Sequence, residues 1–170
     1  LQERNIVEKK FIIDPEEISI KIFIDVAIPS EYIESEAIRL EFYRKFAICE
    51  ELPKFDKIGD EVENRFGPMP ASLINLVNNY KIRIYCAILG IRKCVVLKNV
   101  LQFEFLSAGI AGKIEKFIPS MIQLTMEQNV VPRFLEADNN VLHINIKLND
   151  DVDVRPLCAL FKVCWTIVFI

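Results

Sequence analysis

The chain carries one histidine, His143, and this excludes most histidine-centred chemistry. A zinc site draws several His or Cys side chains together at short spacings, and no second histidine or Cys-x-x-Cys pair is present. No G-x-x-x-x-G-K-[ST] occurs, so there is no P-loop to cradle the phosphates of a nucleotide. G-x-G-x-x-G and G-x-S-x-G are absent too, which removes the dinucleotide fingerprint and the nucleophile elbow. A membrane-spanning helix takes about 20 apolar residues; the stretch from Leu157 to Ile170 is shorter and is interrupted by Lys162. Nothing reads as a signal peptide, and there is no internal repeat or low-complexity tract. Positive charge is not in excess: 21 Lys and Arg face 24 Asp and Glu, for a net charge of −3. Phosphate affinity needs clustered cations, so this balance argues against nucleic-acid binding as the main task.

What remains is apolar. Hydrophobic residues make up 52% of the chain and the mean hydropathy is +0.25, which points to a surface normally covered by something else. At 170 residues the chain suits one domain, and it starts at Leu1, as a fragment of a longer protein would. The odd set Cys49, Cys86, Cys94, Cys158 and Cys164 lies in apolar segments. These read as buried free thiols in a reducing cytoplasm, not as a disulfide framework. His143 falls on the outer face of an alternating strand, where it reads as an inert surface group.

Residues 1–17 are charged and mixed, and read as a linker or edge segment, with the domain over 18–170. Ile18, Ile20, Ile22 and Ile24 alternate with other residues, the period of a strand. A helix follows over 35–49, with Ile38, Phe42 and Phe46 on one stripe and Glu41 four residues before Lys45 outside. Pro53 separates it from a second helix over 54–66, whose Phe55, Ile58, Val62 and Phe66 share one face. A third helix runs over 70–89, with Leu73, Val77, Tyr80, Ile84 and Ile88 inward and Gly90 as its stop. The pattern then changes to strands over 92–97 and 101–105 across a Lys98-Asn99 turn. A segment over 114–125 is helical, split at Pro119. A second hairpin spans 130–136 and 141–148, and a last helix starts near Asp153. Hairpins need antiparallel pairing, so the expected class is α+β: an antiparallel sheet built from hairpins with helices packed on it.

The most specific stretch is Glu61-Val62-Glu63-Asn64-Arg65-Phe66-Gly67-Pro68-Met69-Pro70. Gly67 fits a helix end that needs positive φ, Pro68 cannot continue the helix, and Pro70 suits the first turn of the next. Phe66 is expected in the core. Upstream lie Ile28-Pro29-Ser30-Glu31-Tyr32-Ile33 and Arg39-Leu40-Glu41-Phe42-Tyr43-Arg44; downstream lies Leu89-Gly90-Ile91-Arg92. Tyr32 and Tyr43 sit in apolar surroundings and call for hydrogen-bonded hydroxyls. Most carboxylate groupings, such as Glu34/Glu36 and Glu50/Glu51, read as solvated faces. Glu61 and Asn64 stand apart, because they share one face of a helix locked by Gly67 and Pro68. Such a rigid polar face suits docking to another protein. Arg65 serves either that interface or an internal salt bridge.

The ordered set I-P-x-x-Y-I, R-L-x-F-Y-R, E-x-x-x-R-F-G-P-x-P and L-G-I-R resembles the C-terminal domain of the bacterial transcription-repair coupling factor, over about 18–169. Pro29, Tyr32, Arg39, Tyr43, Phe66, Gly67, Pro68 and Pro70 carry the motif. The chain departs from the family at Asn64, where Asp is usual. The resemblance implies a regulatory, non-catalytic domain without a cofactor, in a cytoplasmic repair protein. By that implication it packs on the N-terminal module of the same polypeptide and masks the surface that recruits the excinuclease A subunit. Glu61, Asn64 and Arg65 form the interface. RNA polymerase, DNA and ATP-driven translocation belong to other domains of the parent. The residue-level alternative is a small-ligand-binding or enzymatic α+β domain, which would need a pocket with converging polar groups.

Overall fold

A computed structural model describes residues 11–22, 24–97, 100–106, 131–137 and 141–147. The expected helices over 114–125 and from Asp153, together with Cys158 and Cys164, lie outside the described residues. A 3-10 turn at Pro15–Glu17 leads into β1 (Ser19–Ile22). Helices α1 (Glu36–Ala47), α2 (Leu52–Phe66) and α3 (Ala71–Leu89) follow, then β2 (Ile91–Leu97) and β3 (Val100–Leu106). Strands β4 (Val131–Ala137) and β5 (Val141–Lys147) come last.

The five strands form one sheet in the order β1-β2-β3-β5-β4. Both hairpins pair as expected: β2 with β3, closing at Leu97 and Val100, and β4 with β5. The β3–β5 contact is antiparallel as well. The sheet is nonetheless mixed, because β1 pairs in parallel with β2, Ser19 lying opposite Lys93. Parallel strands need a crossover, and the three helices supply it. Pro132 lies in β4 at the sheet edge, the position where a residue without an N–H costs no ladder bond. His143 takes its place in β5 between Glu104 and Leu135; its side chain lies outside the described residues.

The helices start and stop for local reasons. Ser35 caps α1, its Oγ accepting from the Ile38 N–H at 3.4 Å, and Arg44 and Lys45 in the last turn suit the negative helix end. Pro53 does not separate α1 from α2. It lies within the first turn of α2, where the missing N–H has no helical partner to lose. Pro70 sits one residue ahead of α3, and its carbonyl accepts from Leu73 and Ile74. Gly90 ends α3, as expected, and does so as a left-handed cap at φ 75° and ψ 29°.

One core fills the space among the helices. Phe42 and Phe46 of α1, Phe55 and Val62 of α2, and Leu73 and Val77 of α3 are all buried in it. The Phe46 and Phe55 rings stack, with centroids 6.4 Å apart and planes 5° from parallel. Phe66 only flanks this core and is half-buried, as is Ile58, while the buried Gly59 takes a place in the α2 stripe. Phe66 lies in the last turn of α2, where the described residues cover it only in part. α3 is buried on more than its expected stripe. Ile82, Tyr85, Cys86, Ala87 and Leu89 lie outside the helical cluster, and Cys86 neighbours Cys94 of β2. α3 thus separates the helical core from the sheet. Cys49, Cys86 and Cys94 are buried free thiols, as expected.

Of the segment 1–17, residues 11–17 are described, and they lie on α3. The N–H groups of Ile12 and Ile13 donate to the Ala87 carbonyl at 2.9 and 3.3 Å. Arg83 donates to the Pro15 carbonyl at 3.3 Å, and Ile13 is buried.

Candidate functional site

The residues of the sequence motif meet at one corner, where α2 ends. Gly67 has φ 87° and ψ −170°. Its φ is positive, as expected, but its ψ is extended, so this is the glycine-only region and not the left-handed helical cap. A Cβ there would meet nothing within 4 Å, so the requirement lies in the backbone. The Gly67 N–H donates to the Glu63 carbonyl at 2.9 Å, and its own carbonyl accepts from the Tyr32 hydroxyl at 2.5 Å. Burial, reinforced by the Glu63 charge, pushes the Tyr32 phenol above its usual range and keeps it a donor.

Tyr32 is itself placed by a turn, in which the Pro29 carbonyl accepts from the N–H groups of Tyr32 and Ile33 at 3.1 Å each. Arg39 reaches back from α1 and donates to the Ile33 and Glu34 carbonyls at 2.7 and 2.9 Å. The Tyr43 hydroxyl accepts from the Ile28 N–H at 2.8 Å. Both tyrosines therefore have the hydrogen-bonded hydroxyls expected of them. The Phe66 ring lies between Tyr32 and Phe42, at centroid distances of 6.1 and 6.2 Å, the latter edge-on. Pro29, Tyr32, Arg39, Tyr43, Phe66 and Gly67 are thus engaged inside the domain. They hold α1, α2 and the Pro29 turn in one fixed relation. Pro68 is exposed after them.

The outer surface of this corner carries Glu61, Asn64 and Arg65. Asn64 is exposed, and its side chain makes no hydrogen bond among the described residues. Glu61 accepts from Lys45 of α1 at 2.7 and 3.0 Å and from Arg65 at 3.3 Å. Lys45 also pairs with Glu41 at 2.9 Å, the expected i,i+4 pair. The hydrogen bond from Lys45 is the main cause that lowers the Glu61 carboxyl below its usual range, and the same bond raises Lys45. Arg65 lies over the Phe42 and Phe66 rings at 5.3 and 5.1 Å, while Lys45 lies 5.0 Å from the Phe42 centroid. Two acids and two cations therefore alternate over an aromatic base, beside an unpartnered amide. Lys45 is legible in the sequence as the partner of Glu41 but not of Glu61, which lies 16 residues away and meets it only through helix packing.

Two depressions lined by described residues flank the helices. One, of about 390 Å³, runs between α2 and α3. The other, of about 340 Å³, includes Asp14, Cys49, Tyr80 and Arg83. Burial pushes the Cys49 thiol up, away from a nucleophilic thiolate. Among the described residues no group of three His, Cys, Asp or Glu is placed to hold a metal ion. No helix among them is long and apolar enough to cross a membrane.

A family model described as the TRCF domain matches residues 22–110. A transcription-repair-coupling factor of Rickettsia bellii (strain RML369-C) is 30% identical over 101 residues, 59% of this chain and 9% of that protein. That of Staphylococcus aureus (strain USA300) is 29% identical over 93 residues, 52% of this chain and 8% of that protein. The chain therefore spans about a tenth of the length of these relatives. Among solved structures, a crystal structure of the C-terminal domain of a transcription-repair coupling factor superposes with a TM-score of 0.74 at 15% identity. That match covers 89% of this chain and 94% of the other, a likeness of fold.

Proposed function

The chain belongs to the TRCF domain family, and from that premise we propose that it is the autoinhibitory clamp of a transcription-repair coupling factor. In this reading it is a protein-interaction domain of transcription-coupled nucleotide excision repair. It packs on the N-terminal module of the same polypeptide and covers the surface that recruits the excinuclease A subunit. RNA polymerase, DNA and ATP are handled by other parts of the parent.

The observation that carries the reading is the division of labour at the α2 corner. Six motif side chains and backbone groups are engaged internally and fix the helix end. The face left outward, Glu61, Asn64 and Arg65, is polar and held in place from beneath. Glu61 is not a bare acid: Lys45 and Arg65 already neutralise it. A basic partner surface meets a patch whose charges cancel only while Glu61 is present. Glu61→Ala leaves Arg65 uncompensated and Lys45 paired with Glu41 alone, so the patch gains a net positive charge and turns towards repulsion. Asn64→Asp adds a carboxylate beside it, and charge-assisted hydrogen bonds are about twice as strong as neutral ones.

The test is capture of the excinuclease A subunit by the full-length factor. Glu61→Ala should raise recovery above wild type, and Asn64→Asp should lower it. Losing one partner of such a pair costs about 2–5 kcal/mol when buried and much less at a rim, so a rise of at least several-fold is expected. Equal recovery from all three proteins means that this face is only solvated helix surface.

A further inference from the structure

We propose that the groove between α2 and α3 docks a basic segment of a partner protein, which seats an apolar side chain between flanking cationic ones. The groove is distinct from the Glu61 and Asn64 face. Its α2 residues, Asp60 and Glu63, each precede one of that face by one position, which turns them about 100° round the helix.

The groove has an apolar floor and an acidic wall. Phe55 and Val77 lie at the floor, buried, with Gly59 between the helices. Ile74 stands on the α3 rim, 38% exposed although large and apolar. Asp56, Asp60 and Glu63 line the α2 side at spacings of four and three, one above another. Lys81 is the cation among the described lining residues, and Asp56 takes it up at 2.7 Å. Glu63 accepts from the Met69 N–H at 3.2 Å. Asp60 has no partner among the described residues. Among the described residues, two of the three acids thus face the groove without a neutralising cation, and like charges so spaced weaken a helix. A cationic occupant removes that repulsion.

Gly59 supplies an independent indication. It lies in the interior of α2 and does not have the positive φ of Gly67 and Gly90. A Cβ built on it would stand 3.5 Å from the Met69 Cε, an ordinary contact. Internal packing therefore does not demand glycine, and alanine is the better helix former. What glycine does here is keep the groove floor low: Gly59 is itself buried beside the Met69 methyl, and an added Cβ raises the floor on which an occupant's side chain rests. The charge of the site selects the occupant. A nucleic acid or an anionic membrane is repelled by the acidic wall, and a second copy of this chain brings a net charge of −3. A basic segment with a central Leu, Ile or Met matches both wall and floor.

The probe is a fluorescein-labelled helical peptide with a Leu flanked by Arg residues one turn away on either side. Its control has Glu in place of each Arg. Anisotropy titrations against the 170-residue chain should show binding of the Arg peptide that weakens with added salt, and none of the Glu peptide. Asp60→Lys should weaken binding by about tenfold or more. Gly59→Ala should also weaken it, while raising the melting temperature by a few degrees. Circular dichroism checks that both variants stay folded; Asp60→Asn replaces Asp60→Lys if the latter does not. Equal binding of the two peptides, or Arg-peptide binding unchanged by both variants, overturns the proposal. So does a lower melting temperature for Gly59→Ala, which would make the glycine a packing requirement.

Discussion

At the scale of single residues, the motif divides into side chains that hold the corner and side chains that face out. Phe66 belongs to the first group without being a core residue in the strict sense. Its ring touches Tyr32, Phe42 and the Arg65 guanidinium, yet it remains half-exposed. Truncating a fully buried Phe costs about 3–5 kcal/mol. Phe66→Ala should therefore cost less, about 2 kcal/mol, by removing contacts at a partly solvated site. Urea melts of variant and parent check this: superimposable curves would show that the ring adds nothing to the corner. The partial exposure was not legible from spacing. Phe55, Ile58, Val62 and Phe66 share a face, but periodicity says nothing about where the covering layer ends.

At the scale of elements, the α1–α2 contact is tied by the Lys45–Glu61 ion pair at 2.7 Å. Both side chains are more than a third exposed, so solvent screening limits the pair to at most about 1 kcal/mol. Glu61 has a folded-state pKa below its usual value of 4.5. Its contribution is therefore complete above that value and is lost as pH falls through the lower, folded value. Lys45 is shifted upward from 10.5, so its contribution is complete below 10.5 and is lost as pH rises through the higher, folded value. A double-mutant cycle of Lys45→Ala and Glu61→Ala should give a favourable coupling at pH 7 that vanishes in acid. Coupling that persists in acid would mean the two side chains interact through packing and not through charge.

At the scale of the whole molecule, the N-terminal stretch is joined to the fold by α3 and by the parallel β1–β2 pairing. Beginning the chain at Ile18 removes the buried Ile13 and both N–H donors to Ala87. Burial of an Ile side chain stabilises by about 1.5–3 kcal/mol, so the shortened chain should melt at lower denaturant than the full one. Identical midpoints would make residues 11–17 a linker that merely lies on the surface.

The sequence by itself determined what depends on neighbours along the chain. Helix periodicity located α1, α2 and α3 to within a few residues, glycine and proline marked their ends, and alternation with short turns located both hairpins. The motif residues were legible as a set, although not the hydrogen bonds from Tyr32 to Gly67 and from Ile28 to Tyr43 that unite them. Only the tertiary structure decided which surfaces meet. The β1–β2 pairing is parallel because three helices carry the chain back to the same end of the sheet, and no local pattern in β1 encodes its partner. α3 is buried on two sides because it has a helical core on one and β2 on the other, whereas a periodic stripe reports one. Glu61 is neutralised and Gly59 floors an acidic groove because α1 and α3 pack where they do. Contacts between residues far apart in sequence depend on how the layers close over one another, and that closure is a property of the whole chain.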